Sequence, residues 1–305
     1  MEPWLQVRGD WRRPDDTSIH ELFWCSESEF GQLFPRPTPD QVGAFYELES
    51  YYTHRDVQAS RPHLRLIERL KMHLAWRADQ GMTMTADYLS RLSGSASLRI
   101  CDIGCGHGAL LEQLQSRGHK VTGVEPDCAA RKVASRKTLT IHEGTAEALP
   151  DVIREQHFDV VIMSHVLEHC IDPAAALSNG SKLLSPNGVI VVETPNNRAR
   201  GLKVSGVYWR WLDVPRHLNF FTDKSLALMC EVSDLCVLKT EYAGYCRQFT
   251  PNWIEDEYRI SQQLEPYPNS RPQLARRNWW LLLNTMFAHP SRKYDSVRII
   301  AGIKS

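Results

Sequence analysis

The segment Ile100-Cys101-Asp102-Ile103-Gly104-Cys105-Gly106-His107-Gly108, followed by a helix-length stretch and then Val121-Thr122-Gly123-Val124-Glu125, decides the fold. Leu98 to Ile103 is an apolar run suited to a strand buried in a parallel sheet. Gly104, Gly106 and Gly108 follow where the chain must turn sharply and let a ligand approach its backbone. Ala109 to Ser116 is predicted as a helix and His119 to Val124 as the next strand. Glu125 stands 21 residues after the first glycine, where a carboxylate can accept hydrogen bonds from ribose hydroxyls. The whole reads as a nucleotide-cradling unit of strand, turn, helix and strand.

The spacing Gly104-x-Gly106-x-x-Ala109 also satisfies a permissive dinucleotide pattern, so the glycines alone leave nicotinamide and flavin cofactors open. Asp102 shifts the balance. A carboxylate at the strand end suits a cationic amino group and repels a pyrophosphate. The resulting Asp-x-Gly-x-Gly-x-Gly resembles motif I of class I S-adenosylmethionine-dependent methyltransferases. That resemblance implies S-adenosylmethionine as cofactor and S-adenosylhomocysteine as product, held by Asp102, Gly104, Cys105, Gly106, Gly108, Glu125 and Pro126.

Later segments are similar to the family in order and spacing. Gly144 to Pro150, after a short strand around Leu139 to Ile141, resembles the loop that contacts adenine. Here Thr145 replaces the usual Asp, and Ala146 and Glu147 complete the contact. Phe158 to Ser164 is a fourth strand, with Ser164 and His165 at its cofactor end, and His165-Val-Leu-Glu-His169 opens the next helix. Leu183 to Glu193 is a turn and fifth strand, with Pro186, Asn187 and Gly188 supplying the turn.

The implied architecture is α/β: a Rossmann-like, seven-stranded, mostly parallel sheet with an antiparallel last strand. Residues 1–95 are expected as a mainly helical lead-in, because Leu64, Ile67, Leu70 and Leu74 recur at helical spacing between Pro62 and Ala78. Residues 96–243 and 294–305 form the cofactor-binding domain. Thr222 caps a helix through Val232, and strands follow around Cys236 to Tyr242 and at Ser296 to Ile303. Residues 244–293 are an insertion carrying Trp253, Tyr258, Tyr267, Trp279 and Trp280. A water-excluding lid over the active site fits this composition. Cap core or a homodimer surface fits the same aromatics.

At 305 residues and 42% hydrophobic content the chain can bury one α/β core plus an accessory region. No apolar run reaches the roughly 18 residues that cross a bilayer, so no membrane partner is expected. The first residues mix Trp4, Asp10, Asp15 and Asp16 with arginines, unlike a signal or transit segment, which sets the expectation of a cytoplasmic protein. None of the eight cysteines forms Cys-x-x-Cys, so buried thiols are expected. Phe34 to Asp40, with Tyr46, Tyr51 and Tyr52 after it, resembles a methyltransferase lead-in that often follows a cysteine-rich zinc knuckle. Cys25 alone remains there, and no structural zinc is expected.

Net charge is zero, but residues 196–305 hold 16 basic and 10 acidic side chains. Arg198, Arg200, Lys203, Arg210 and Arg216 cluster just after the fifth strand. They suit a small-molecule acceptor with a carboxylate or phosphate, and a solvated face is the bland alternative. A neutral chain disfavours a nucleic-acid polymer.

Methyl transfer is an in-line displacement, so the protein must position the acceptor and remove its proton. The candidates are His165, Glu168, His169 and His217, with one histidine as general base. Trp211 to Thr222 resembles a segment seen after strand five in small-molecule methyltransferases, with its histidine in or beside the site. His165-x-x-Glu168-His169 also matches the spacing of inverted zinc peptidases. Its place directly after a strand in a methyltransferase series, without a third-ligand helix, opposes that reading. Ubiquinone-pathway O-methyltransferases and small-RNA 2′-O-methyltransferases hold a divalent ion with Glu-x-x-Glu-His here. In this chain His165 replaces the first Glu, Mg²⁺ prefers oxygen ligands, and no metal is expected. The function expected is O-methylation of a small molecule in a bacterial biosynthetic pathway. Alternatives are N- or C-methylation, RNA methylation, and a non-catalytic cofactor-binding scaffold.

Overall fold

The computed structural model describes residues 1–46, 66–92, 97–264 and 269–304. Leu64, Tyr51, Tyr52, Tyr267 and the boundary near residue 95 lie outside the described residues. The lead-in departs from the helical expectation over its first 34 residues. Glu2–Arg8 (β1), Ile19–Cys25 (β2) and Phe30–Phe34 (β3) are strands. Only then come the helices Pro39–Phe45 (α1), Leu66–Ala78 (α2) and Ala86–Ser90 (α3). Alternation explains the strands: Leu22 and Leu33 are buried while Glu21 and Phe34 face solvent. The helical period between residues 62 and 78 does not extend back into this stretch.

The main domain alternates as expected. Arg99–Ile103 (β4), Ala109–Ser116 (α4), Lys120–Val124 (β5), Cys128–Ser135 (α5) and Ile141–His142 (β6) form its first half. Asp151–Arg154 (α6), Phe158–Ser164 (β7), Pro173–Lys182 (α7) and Leu184–Pro195 (β8) begin the second. Arg200–Ser205 (α8), Asn219–Phe220 (β9), Asp223–Val232 (α9) and Leu235–Ala243 (β10) follow. The insertion is helical, with Pro251–Leu264 (α10), Arg271–Thr285 (α11) and Pro290–Lys293 (α12), and Ser296–Ile303 (β11) closes the sheet. No helix among the described residues is long and apolar enough to cross a membrane.

The seven-stranded sheet runs β10-β11-β8-β7-β4-β5-β6, and β11 is antiparallel to both neighbours. Strand order reverses at β4, which pairs in parallel with β5 on one side and β7 on the other. Ligands of open α/β sheets bind at the carboxyl ends of strands beside such a switch point. Both faces of the central strands are covered. Ile100, Val160 and Ile162 pack beneath Leu89 and Leu114, while Val161, Met163 and Val192 pack against Leu177 and Leu226. This double burial is why these strands read as continuous apolar runs.

A second sheet, β1-β2-β3-β9, is antiparallel throughout. Its last strand is borrowed from the segment after Arg216-His217, with Gly31 opposite Phe220 and Gln32 opposite Asn219. Glycine is needed at 31, since a Cβ there would lie 3.0 Å from the Phe220 Cβ. The lead-in therefore holds the His217 segment in place.

One further expectation is corrected. His165 to His169 does not open a helix: Leu167–His169 is a short 3₁₀ turn, and α7 starts at Pro173 behind the Asp172 cap. Proline is favoured at the first helical position and the aspartate accepts from the Ala175 amide. The start is fixed there, leaving His165 in the left-handed region at φ 56°.

Candidate active site

The turn after β4 builds one half of the site. Gly104, Gly106 and Gly108 all have positive φ. At Gly106 an added Cβ would meet nothing within 4 Å, so the backbone borders open space. At Gly104 it would strike Val166 at 2.6 Å, so that glycine serves internal packing. Glu125, at the end of β5, accepts from the Gly106 amide at 2.7 Å and the Asp127 amide at 2.9 Å. Burial nonetheless pushes its pKa up. Asp102 is 5% exposed, and burial together with the Glu125 charge raises its carboxyl to about 7. A cationic ligand group beside it would restore the charged form. His107 Nδ1 is also buried without a hydrogen-bond partner among the described residues. Open backbone, two converging carboxyls and an orphaned ring nitrogen are the features that fit an aminoacyl nucleoside.

The remaining candidates on this side each have partners of their own. Cys105 is half-buried beneath Gly123, and burial drives its thiol pKa up. Pro126 is exposed and its carbonyl accepts from Arg131. The Thr145 hydroxyl accepts from the Ala148 amide, and the Ala146 carbonyl accepts from Asn179. The Glu147 carboxylate accepts from the Asp172 amide at 2.7 Å. Ser164 ends β7 opposite Glu193 in register.

The other half lies where β7 ends and the His217 segment folds over it. His165 Nδ1 is 3.0 Å from Glu168 Oε1, its Nε2 is 3.6 Å from Glu193 Oε1, and its ring stacks on Trp211 at 4.9 Å and 19°. Burial disfavours its charge, but hydrogen bonds to both acids outweigh burial and lift it to about 9. His165 is therefore an imidazolium at neutral pH. His217 is the opposite case. Burial, reinforced by His169, lowers its pKa to about 4. Its Nδ1 donates to the Trp211 carbonyl at 2.8 Å, which leaves Nε2 with its lone pair bare. The His169 ring meets His217 edge-on at 4.7 Å, and its Nδ1 lies 2.7 Å from the Tyr46 hydroxyl and 3.1 Å from the Arg216 carbonyl. Because a carbonyl only accepts, that nitrogen carries the hydrogen.

Glu168 is 1% exposed, and its Oε2 has no hydrogen-bond partner among the described residues. One donor atom each from Glu168, His169 and His217 lies within 4.8 Å of the others. The sequence-based expectation of no metal rested on His165, and this trio excludes His165.

Several residues that shape the site went unread in the sequence. Asn219 donates to the carbonyls of Leu167 and Cys170, pinning the turn that carries Glu168 and His169. Trp211 and Glu193 lay inside segments already singled out, but nothing local revealed that they flank His165. Asp10 and Asp213 grip Arg216, whose guanidinium is fully buried, at 2.7 and 3.0 Å. Of the five cations expected to form a basic wall, Arg216 is spent on these acids, while Arg200 and Lys203 have no acidic partner among the described residues. Arg198 pairs with Glu29 and Asp223, and Arg210 with Asp256, in partly exposed ion pairs.

A methyltransferase domain family matches residues 75–240. The chain is similar to the ubiquinone biosynthesis O-methyltransferase of Rhodopseudomonas palustris (strain BisA53), 32% identical over 186 residues, 57% of this chain and 70% of that protein. The corresponding protein of strain HaA2 is 29% identical over 245 residues, 77% of this chain and 92% of its own. Among solved structures, Burkholderia thailandensis 1,6-didemethyltoxoflavin-N1-methyltransferase, bound to its acceptor and S-adenosylhomocysteine, aligns over 100% of both chains with a TM-score of 0.50 and 14% identity. At that identity the likeness is one of fold.

Proposed function

The chain belongs to the methyltransferase-domain family, as an S-adenosylmethionine-dependent enzyme, and on that premise we propose that it O-methylates a small molecule in a bacterial biosynthetic pathway. The state of His217 carries this reading. One nitrogen is tied to a carbonyl and the other keeps its lone pair, the geometry a general base needs, while burial holds the ring neutral before the acceptor's proton arrives. His165 is already protonated and clamped between Glu168 and Glu193, so it orients charge rather than moving a proton.

S-adenosylmethionine, when bound, supplies the electrophilic sulfonium methyl. Glu125 would accept from its ribose hydroxyls, Asp102 would face its amino group, and the Gly104–Gly106 backbone would lie along it. His217 Nε2 takes the acceptor hydroxyl's proton as the oxygen attacks. The O-methyltransferase names of the relatives support oxygen as the acceptor atom. With Arg198, Arg210 and Arg216 spent on internal partners, the acceptor's charge is not a requirement of this reading. The insertion serves as a wall or lid, since its Trp253 packs edge-on against Trp211 at 5.8 Å.

A second reading is favoured by the orphaned Glu168 Oε2. With His169 and His217 it fits a divalent cation that would acidify the acceptor hydroxyl. Two imidazoles and one carboxylate suit Mn²⁺, Fe²⁺ or Zn²⁺ better than Mg²⁺. Both readings share the cofactor test: S-adenosylhomocysteine should raise the melting temperature and NADH should not, and the reverse result ends the proposal. Turnover that survives exhaustive chelation, with ion content measured, favours His217 acting alone.

A further inference from the structure

The helix α11 carries a face that no other part of the described chain covers. Trp280 and Leu283 are 51% and 62% exposed, and Phe287, in the turn that follows, is 93% exposed. Steps of three and four residues place them along one side. The charge around them has one sign. Residues 271 to 293 hold five Lys and Arg side chains and no Asp or Glu. Arg271 and Arg277 pair with Glu255 and Glu257 of α10, and Lys293 is buried on backbone carbonyls. Arg276 and Arg292 remain exposed with no acidic partner among the described residues. Arg200 donates to the Asn284 carbonyl, next to Leu283.

We propose that this face docks on an anionic lipid bilayer, with Trp280, Leu283 and Phe287 entering the headgroup boundary and Arg276, Arg292 and Arg200 meeting lipid phosphates. Exposed aromatic and aliphatic side chains flanked only by cations are the composition of an interfacial helix. Charge argues against a second copy as the occupant. A two-fold contact sets the same patch against itself, and a patch with unpaired cations and no acids cannot neutralise itself. The inference is independent of the reaction, because docking needs neither cofactor nor acceptor.

The test is co-sedimentation of the full chain with vesicles of phosphatidylcholine, with and without phosphatidylglycerol, at low and high salt. Binding should be confined to the anionic vesicles and fall steeply with salt. The double variant Leu283→Ser/Phe287→Ser should lose about ten-fold or more in vesicle affinity. Arg276→Glu/Arg292→Glu should lose about 25-fold or more, at about five-fold per arginine. All four side chains are exposed, so an unchanged thermal shift with S-adenosylhomocysteine confirms that the variants fold. Failure of the wild-type chain to bind anionic vesicles, or equal binding by the variants, overturns the proposal. So does a concentration-dependent dimer that Phe287→Ser abolishes, or a preference for RNA over lipid.

Discussion

At position 165 a histidine in the left-handed region lies between two buried acids, and its proton has consequences for stability. Its pKa rises from 6.5 to about 9, so its contribution is complete below pH 6.5 and is lost as pH climbs through about 9. Glu193 works in the other direction. Although burial disfavours its charge, His165 and Arg298 hold it at about 2 against 4.5, so its contribution is present above pH 4.5 and fades as pH falls toward 2. Urea midpoints measured across pH should fall above about pH 6.5, and His165→Gln should flatten that alkaline arm and shrink the acid one to what Arg298 alone sustains. An arm that persists in the variant places the titrating group elsewhere. For His217→Ala the expected result is a turnover loss of about 10²- to 10⁴-fold with S-adenosylhomocysteine affinity retained. An unchanged rate removes His217 from the chemistry. Gly106→Arg should abolish cofactor binding, because its side chain would fill the open space against the turn. The sequence singled out all three histidines but did not distinguish them. Their protonation depends on Glu193 and the Trp211 carbonyl, which only folding brings within reach.

Among the elements, those specified by neighbouring residues were legible. The Thr222 cap is an example: its hydroxyl accepts from the Ser225 amide, and Ser225 returns the bond to the Thr222 amide. The same hydroxyl donates to the Glu29 carbonyl of the lead-in. Thr222→Ala should therefore cost about 1–2 kcal/mol in urea unfolding, at the upper end for a cap. A cost near zero would show that the helix start is held by packing instead. The strands of the lead-in were not legible in this way. β3 completes its pairing with β9, far along the chain, and β9 contributes only Asn219 and Phe220. Two residues carry no periodicity to read. The turn at Leu167–His169 escaped for a related reason, since Asn219 and the Asp172 cap together stop a helix from beginning at His165.

Across the whole molecule, Arg216 joins the lead-in to the His217 segment. It lies between Asp10 of the first residues and Asp213 of the loop that leads to His217, at 0% exposure. Arg216→Ala takes the bidentate partner from buried Asp10 and leaves Asp213 to Arg12, and should cost about 3–5 kcal/mol. Arg210→Ala breaks a partly exposed pair with Asp256 and should cost no more than about 1 kcal/mol. Comparable losses for the two, read from chemical denaturation, would contradict this division. In sequence the two arginines looked alike, as members of one basic cluster. What the residues determined unaided was the alternation of strands and helices and the glycine turn with its two acids, because apolar period, caps and turn chemistry act between near neighbours. What only the tertiary structure decided was the fate of each charge: which arginine is buried, which histidine is protonated, and that Glu168, His169 and His217 share one site. Desolvation and Coulomb energy depend on partners that the fold, and not the spacing along the chain, brings together.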